Sequence, residues 1–130
     1  MQKTSFTTST EKRYQLVDIT SQVEAFVREN NEEKGTCLIF TPHSTAAILL
    51  TENEKGLKND WLKILKDIVS GYDFEHNKID NNADSHILSG LLGQEKTIPI
   101  QEGRLAKGTW QQIFLVELDG PRKREITITV

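Results

Sequence analysis

The sequence predicts an α+β fold, a mostly antiparallel, sandwich-like β-sheet with two to three helices. Two apolar stripes of helical period predict the helices, and several short β-rich segments, some strictly alternating, predict the strands. A strong turn signal, Asp119-Gly120-Pro121, joins the last two of those segments and favours antiparallel pairing. Thr4 to Thr10 alternates around Phe6 and reads as an edge strand. Tyr14 to Ile19, with Leu16 and Val17 apolar, reads as a second strand. Asp18 or Thr20 can cap a helix running to about Asn30, whose Val23, Phe26 and Val27 share one face. Lys34-Gly35 ends it. Gly35 to Phe40 is apolar and reads as a buried strand. Pro42 then removes a ladder donor, so Thr41-Pro42-His43-Ser44 is a bulge or turn before a further apolar run, Ala46 to Leu50.

The clearest helix is Glu54 to Val69, where Leu57, Trp61, Ile64, Leu65 and Ile68 form one stripe and Gly71 closes the element. Its off-stripe lysines, Lys55, Lys58, Lys63 and Lys66, read as a solvated face more readily than as an anion site. Phe74 to Ala83 is polar and reads as a loop. Asp84 or Ser85 opens a helix through Ile87, Leu88, Leu91 and Leu92, stopped by Gly93. The remainder is β-rich: Lys96 to Ile100, Thr109 to Leu118 and Glu125 to Val130. A Trp within a β-run, here Trp110, is usually core.

At 130 residues the chain is expected to form one domain, 1–130. Its 16 basic and 19 acidic residues give a net charge of −3, which offers no general attraction for nucleic acid. No apolar run approaches the roughly 18–20 residues of a membrane span. A single cysteine, Cys37, excludes an internal disulfide framework, and its apolar neighbours suit an inert thiol. The opening residues lack the apolar core of a secretory signal, so a reduced, cytoplasmic setting is expected.

The sequence holds three histidines, and none lies inside an apolar run. His43 follows Pro42 at a strand break, His76 sits in the polar loop, and His86 sits in the first turn of a helix. Such positions commonly carry functional groups. Each has carboxylates nearby in sequence: Glu52 after His43, Glu75 and Asp80 around His76, Asp84 before His86. Three neutral imidazoles on one zinc would leave a fourth position for water or substrate, with carboxylates orienting the rings. The spacing matches no local zinc signature, so hydrogen-bonded structural roles stand beside the metal reading. Asp80-Asn81-Asn82-Ala83-Asp84 opens like a calcium loop but has Ser85 in place of the turn glycine and Leu91 in place of the closing Glu. Gly103 to Thr109 has the glycine spacing of a P-loop, but Lys107 precedes the second glycine, and no apolar helix follows. Arg104, Arg122, Lys123 and Arg124 form the main basic cluster outside the long helix; arginines of this kind suit a phosphate or carboxylate, or are ordinary strand-end charge.

These segments together resemble the YjbQ-like family, also called the secondary thiamine-phosphate synthase family, over nearly the whole length. The marks are His43-Ser44-Thr45-Ala46-Ala47, Glu52-Asn53, Asp60, His76 and Asp80-Asn81-Asn82-Ala83-Asp84-Ser85-His86. They continue through Ile98-Pro99, Gly103-Arg104 and Gly108-Thr109-Trp110-Gln111 to Glu117 and Arg124. The resemblance implies a homotrimer with a polar pocket near subunit contacts. It implies His43, His76 and His86 as ligands of a divalent metal, perhaps zinc. It also implies a weak thiamine-phosphate synthase activity, which joins a pyrimidine methyl diphosphate to a thiazole phosphate and releases diphosphate. Glu52, Asp60 and Asp80 are then candidates for orientation or acid–base work, and Arg104, Gln111 and Arg124 for binding the anionic substrate. The alternatives are a non-enzymatic trimeric binding protein for a small anionic metabolite, and a trimer whose histidines serve only as interface hydrogen bonders.

Overall fold

Alternation of apolar and polar residues builds the sheets, and continuous apolar runs decide how they stack. The computed structural model describes residues 2–130. In chain order it contains β1 (Lys3–Ser9), β2 (Gln15–Asp18), α1 (Thr20–Asn30), β3 (Lys34–Phe40), β4 (Ala46–Thr51) and α2 (Lys55–Ile68). A 3₁₀ turn (Glu75–Lys78), α3 (Ala83–Leu92), β5 (Glu95–Gln101), β6 (Arg104–Leu105), β7 (Gln112–Glu117) and β8 (Lys123–Thr129) follow. A five-stranded sheet has the order β1-β8-β3-β5-β6, and a three-stranded sheet the order β2-β7-β4. Every strand pair is antiparallel.

Side chains alternate across a strand, so each strand of the small sheet can serve two cores. Ile48, Ile113 and Leu115 point to the large sheet and pack with Ile39, Ile98, Ile126, Ile128 and with Val23 and Val27 of α1. Ala47, Leu49, Phe114 and Val116 point the other way and pack with Leu65 of α2 and Leu88 of α3. The small sheet is therefore the middle layer of three, which is why β4 and β7 read as unbroken apolar runs. The outer face of the large sheet is bare, leaving Leu38 and Phe40 of β3 exposed.

The helices are closed by local chemistry. The Glu54 carboxylate accepts from the Gly56 and Leu57 amides at 2.6 and 2.9 Å, capping α2. Gly93 ends α3 at φ 91°, a conformation open to glycine. The ammonium of Lys96 then donates to Leu92 O and Ile48 O, tying the helix end to β4.

The structure differs from the expectation at several places. β3, read as a buried strand, covers only Cys37 and Ile39, because its other face is the outer face of the large sheet. The stripe of α2 is only partly covered: Leu65 is buried, but Ile64 and Ile68 are exposed, because the inward face is centred on Trp61, Leu62 and Leu65. The strand expected from Thr109 begins at Gln112. Gln111 instead staples a turn, its side-chain oxygen accepting from Gly108 N at 2.7 Å while its own N–H donates to Gly108 O. Trp110 stands on that turn, 72% exposed, and is not core. The short β6 and the 3₁₀ turn within the polar loop went unanticipated. Among the described residues, no helix is long and apolar enough to cross a membrane.

Candidate functional site

The register of β4 on β7 defines two ends of the middle sheet. Ala46 faces Glu117 at one end and Thr51 faces Gln112 at the other. Five residue steps separate them, roughly 17 Å.

The Glu117 end is a dense polar lattice. Glu117 and Arg124 are both buried and form an ion pair across the turn joining β7 to β8. Arg124 also donates to Thr45 O and Oγ1 at 3.1 and 2.9 Å. The Glu117 carboxylate further accepts from Thr10 Oγ1 and from the Leu118 and Asp119 amides. Burial alone would push its pKa up; the Arg124 guanidinium, the Asp119 amide and the Thr10 hydroxyl together outweigh that and hold it below the ordinary carboxylate value.

Next to this pair, His43 is fixed by the backbone. Its Nε2 accepts from the Glu125 amide at 3.0 Å, which requires the proton on Nδ1 and a neutral ring. Burial, then the positive charge of Arg124, depress its pKa in the same sense. Two residues past Glu117, Asp119 accepts from Arg122 and from the Asn82 amide, both through Oδ2, and pairs with Arg13 through Oδ1 at 3.4 Å. With its nitrogen on Asp119, Asn82 turns its oxygen to His76 Nε2 at 2.8 Å. His76 therefore donates from Nε2. Its ring meets His86 edge-on, with centroids 5.0 Å apart. Asp84, in the first turn of α3, accepts from Tyr14 Oη at 2.6 Å and Arg13 at 3.0 Å. Burial, reinforced by Asp84, raises the Tyr14 pKa far above the ordinary phenol value. Ser85 anchors the helix start by donating to Leu118 O.

An open groove of about 750 Å³ runs beside this shelf. Lys12, Arg13 and Lys66 give it positive charge, and Tyr14, Tyr72 and Phe74 give it aromatic surface. Tyr72 and Phe74 stack, with ring centroids 5.5 Å apart, and Lys66 Nζ lies 5.8 Å from the Tyr14 ring centre.

The Gln112 end is looser. Glu52 and Asn53 follow β4 and are exposed, with Asn53 donating to Asp18 at 2.8 Å. Trp61 Nε1 donates to Thr51 Oγ1 at 3.0 Å, placing the neighbouring, exposed Asp60 at this end too. Arg104 of β6 lines a separate cavity of about 430 Å³ against α1.

The expected residues thus divide. His76, His86 and Asp80 lie around the start of α3, and His43 and Arg124 lie by Glu117. Glu52, Asp60, Arg104 and Gln111 belong to the far end. Arg124 is committed to Glu117 and Thr45. Of the three histidines, His76 and His86 are neighbours, while His43 Nε2 is occupied by the Glu125 amide. Among the described residues, no group of three or more His, Cys, Asp or Glu side chains converges as a metal shell. Arg13, Tyr14, Asn82 and Asp119 went unnoticed as site residues. Arg13 and Tyr14 look like a strand start, and Asp119 looks only like a turn former; no sequence signal distinguishes them.

Fold and site define a small three-layer α+β protein with a histidine shelf at one end of its middle sheet. The chain belongs to the YjbQ-like family: the profile described as "UPF0047 protein YjbQ-like" matches residues 4–130. A UPF0047 protein of Archaeoglobus fulgidus is 41% identical over 123 residues, covering 94% of this chain and 95% of that one. The UPF0047 protein YugU of Bacillus subtilis is 38% identical over 119 residues, 88% of each chain. Among solved structures, a YbjQ-like protein of unknown function from Sulfolobus solfataricus P2 superposes with a TM-score of 0.96 at 46% identity, covering 98% of this chain and 94% of that one.

Proposed function

We propose that the protein binds a small phosphorylated heterocycle in the groove beside the histidine shelf. The observation that carries this is the lining of that groove, which combines Lys12, Lys66 and the Asp84-paired Arg13 with three aromatic rings. A flat ring stacks on Tyr72, Phe74 or Tyr14, while its phosphate meets Lys12, Arg13 and Lys66. The two substrates of thiamine-phosphate synthesis, a pyrimidine methyl diphosphate and a thiazole phosphate, have this chemistry. Cations at the groove would stabilise the charge growing on the departing diphosphate. His76 and His86 offer two neighbouring imidazoles for proton handling. Zinc belongs to this reading only with a third donor from another chain. The family-matching residues lie at two ends roughly 17 Å apart, so one chain cannot gather them, and this supports a trimer in which two chains share a site. The test is turnover of the matched substrate pair by untagged protein, with solution mass and metal content measured alongside. Product formation that Lys66→Met and His86→Ala each reduce at least tenfold supports the enzyme.

The second reading is a binding protein without turnover. It is favoured by the saturation of Glu117, whose carboxylate is fully engaged by Arg124, Thr10 and two amides and is not free to move a proton. Saturable binding of the thiazole phosphate with no product above the buffer rate selects it.

A further inference from the structure

A second cavity lies toward the Gln112 end of the middle sheet and shares no lining residue with the groove. It lies between α1 and the segment running from β6 to the turn at Gly108, and encloses about 430 Å³. Arg28, Arg104 and Lys107 line it, with Glu24 as the one carboxylate. Lys107 is the informative member. Its side chain is only 13% exposed, yet its ammonium makes no hydrogen bond among the described residues. Its nearest carboxylate, Glu24, stands at 4.0 Å, the outer limit of an ion pair. Neither Arg28 nor Arg104 forms an ion pair among the described residues. The Lys107 stem is largely covered while its ammonium stays accessible, held by no more than that one distant carboxylate. The contrast with the Glu117 end is direct, because there Arg13, Arg122 and Arg124 are each held by a carboxylate.

We infer that Arg28, Arg104 and Lys107 form a phosphate-binding site distinct from the groove. Two guanidinium groups can each engage a phosphate through paired N–H donors, and the Lys107 ammonium adds an accessible point charge from the same cavity wall. Val27 and Leu105 supply apolar surface beside it, so the cavity takes the phosphate group of a small ester as well as inorganic phosphate. Glu24 sits on the same wall and favours an anion bound toward the arginine side. The rejected P-loop spacing, Gly103 to Thr109, acquires a meaning here: its lysine faces a phosphate cavity, though with none of the cradle geometry of a nucleotide loop.

Residue-resolved NMR of the full chain tests the site, with inorganic phosphate titrated against sodium chloride at matched ionic strength. The expected result is saturable shifts at the amides of Gly108, Thr109 and Arg28. Lys107→Met should weaken that response at least tenfold, with Arg104→Gln as a second variant should the first disturb folding. Lys66→Met, in the groove, should leave it unchanged. A titration with glycerol phosphate in place of phosphate separates an ester-binding site, where the ester binds as well or better, from one that takes the free anion only. Shifts confined to Tyr72 and Asn77 would overturn the second site while leaving the groove reading intact. Shifts reproduced by chloride, or undiminished in both variants, overturn it as well. Saturable shifts at Gly108 with none at Tyr72 would sustain this site and count against the groove.

Discussion

The two ends of the middle sheet solve the problem of buried charge in opposite ways. At the Glu117 end, the three arginines are matched, and the matching partners are interlocked: Arg124 with Glu117 and Thr45, Arg13 with Asp84 and Asp119, Arg122 with Asp119. In the cavity at the Gln112 end, three cations share a single carboxylate, Glu24, and the polar contacts are few. A saturated lattice fixes geometry; an unsaturated one leaves charge available to a visitor. The first is suited to holding His76 in place beside a groove whose own free charge is Lys12 and Lys66, the second to accepting an anion directly.

Four single variants and one double variant break or sharpen that contrast, taken from the largest expected effect. Arg124→Met should cost about 3–5 kcal/mol in chemical denaturation, since it strands a buried carboxylate. Glu117→Leu added to it should recover only part, because the Leu118 and Asp119 amides lose their acceptor. Little change in the denaturation midpoint for Arg124→Met would show that the lattice is not structural. Gly120→Ala comes next, at about 1–3 kcal/mol. A Cβ there would overlap the Lys12 carbonyl and lie 2.8 Å from Glu117 Cγ and 2.9 Å from Thr10 Oγ1, so the whole lattice must shift. Thermal unfolding measures it.

At the opposite end, Trp61→Phe removes the one hydrogen bond from α2 to Thr51 and should cost about 1 kcal/mol, with the fold retained. The smallest effect is gated by pH. His43 has a depressed pKa in the folded chain, so its contribution is complete above the ordinary histidine value of 6.5 and declines as pH falls below it. Denaturation midpoints at neutral and mildly acid pH should therefore diverge in the wild type and converge in His43→Gln. An unchanged pH slope in that variant would remove His43 from the lattice.

Much of the fold was legible in the sequence. The helix at Lys55–Ile68 announced itself by spacing, and the Asp119-Gly120-Pro121 turn by composition. The edge strand at Lys3–Ser9 showed in its Thr/Ser alternation. What stayed hidden was the stacking, because an unbroken apolar run such as Ile113 to Val116 says that both faces are covered without saying by what. Trp110 misled for a related reason: Gln111 breaks the ladder by bonding its own turn, and side-chain-to-backbone bonds of that kind leave no periodic trace. The site was legible in part. The histidines sit on polar segments as expected, but Asp119, which sets the side chain of Asn82 and through it His76, lies far along the chain and becomes a neighbour only through the β7–β8 turn.

Cys37 offers a use that its inertness makes possible. It is fully buried in the middle of β3, with burial raising its pKa to about 11. A thiol reagent can reach it only when the two sheets part, so the rate of labelling reports how often that core opens. The lone cysteine is thus a built-in clock for the sandwich, readable by mass without adding a probe.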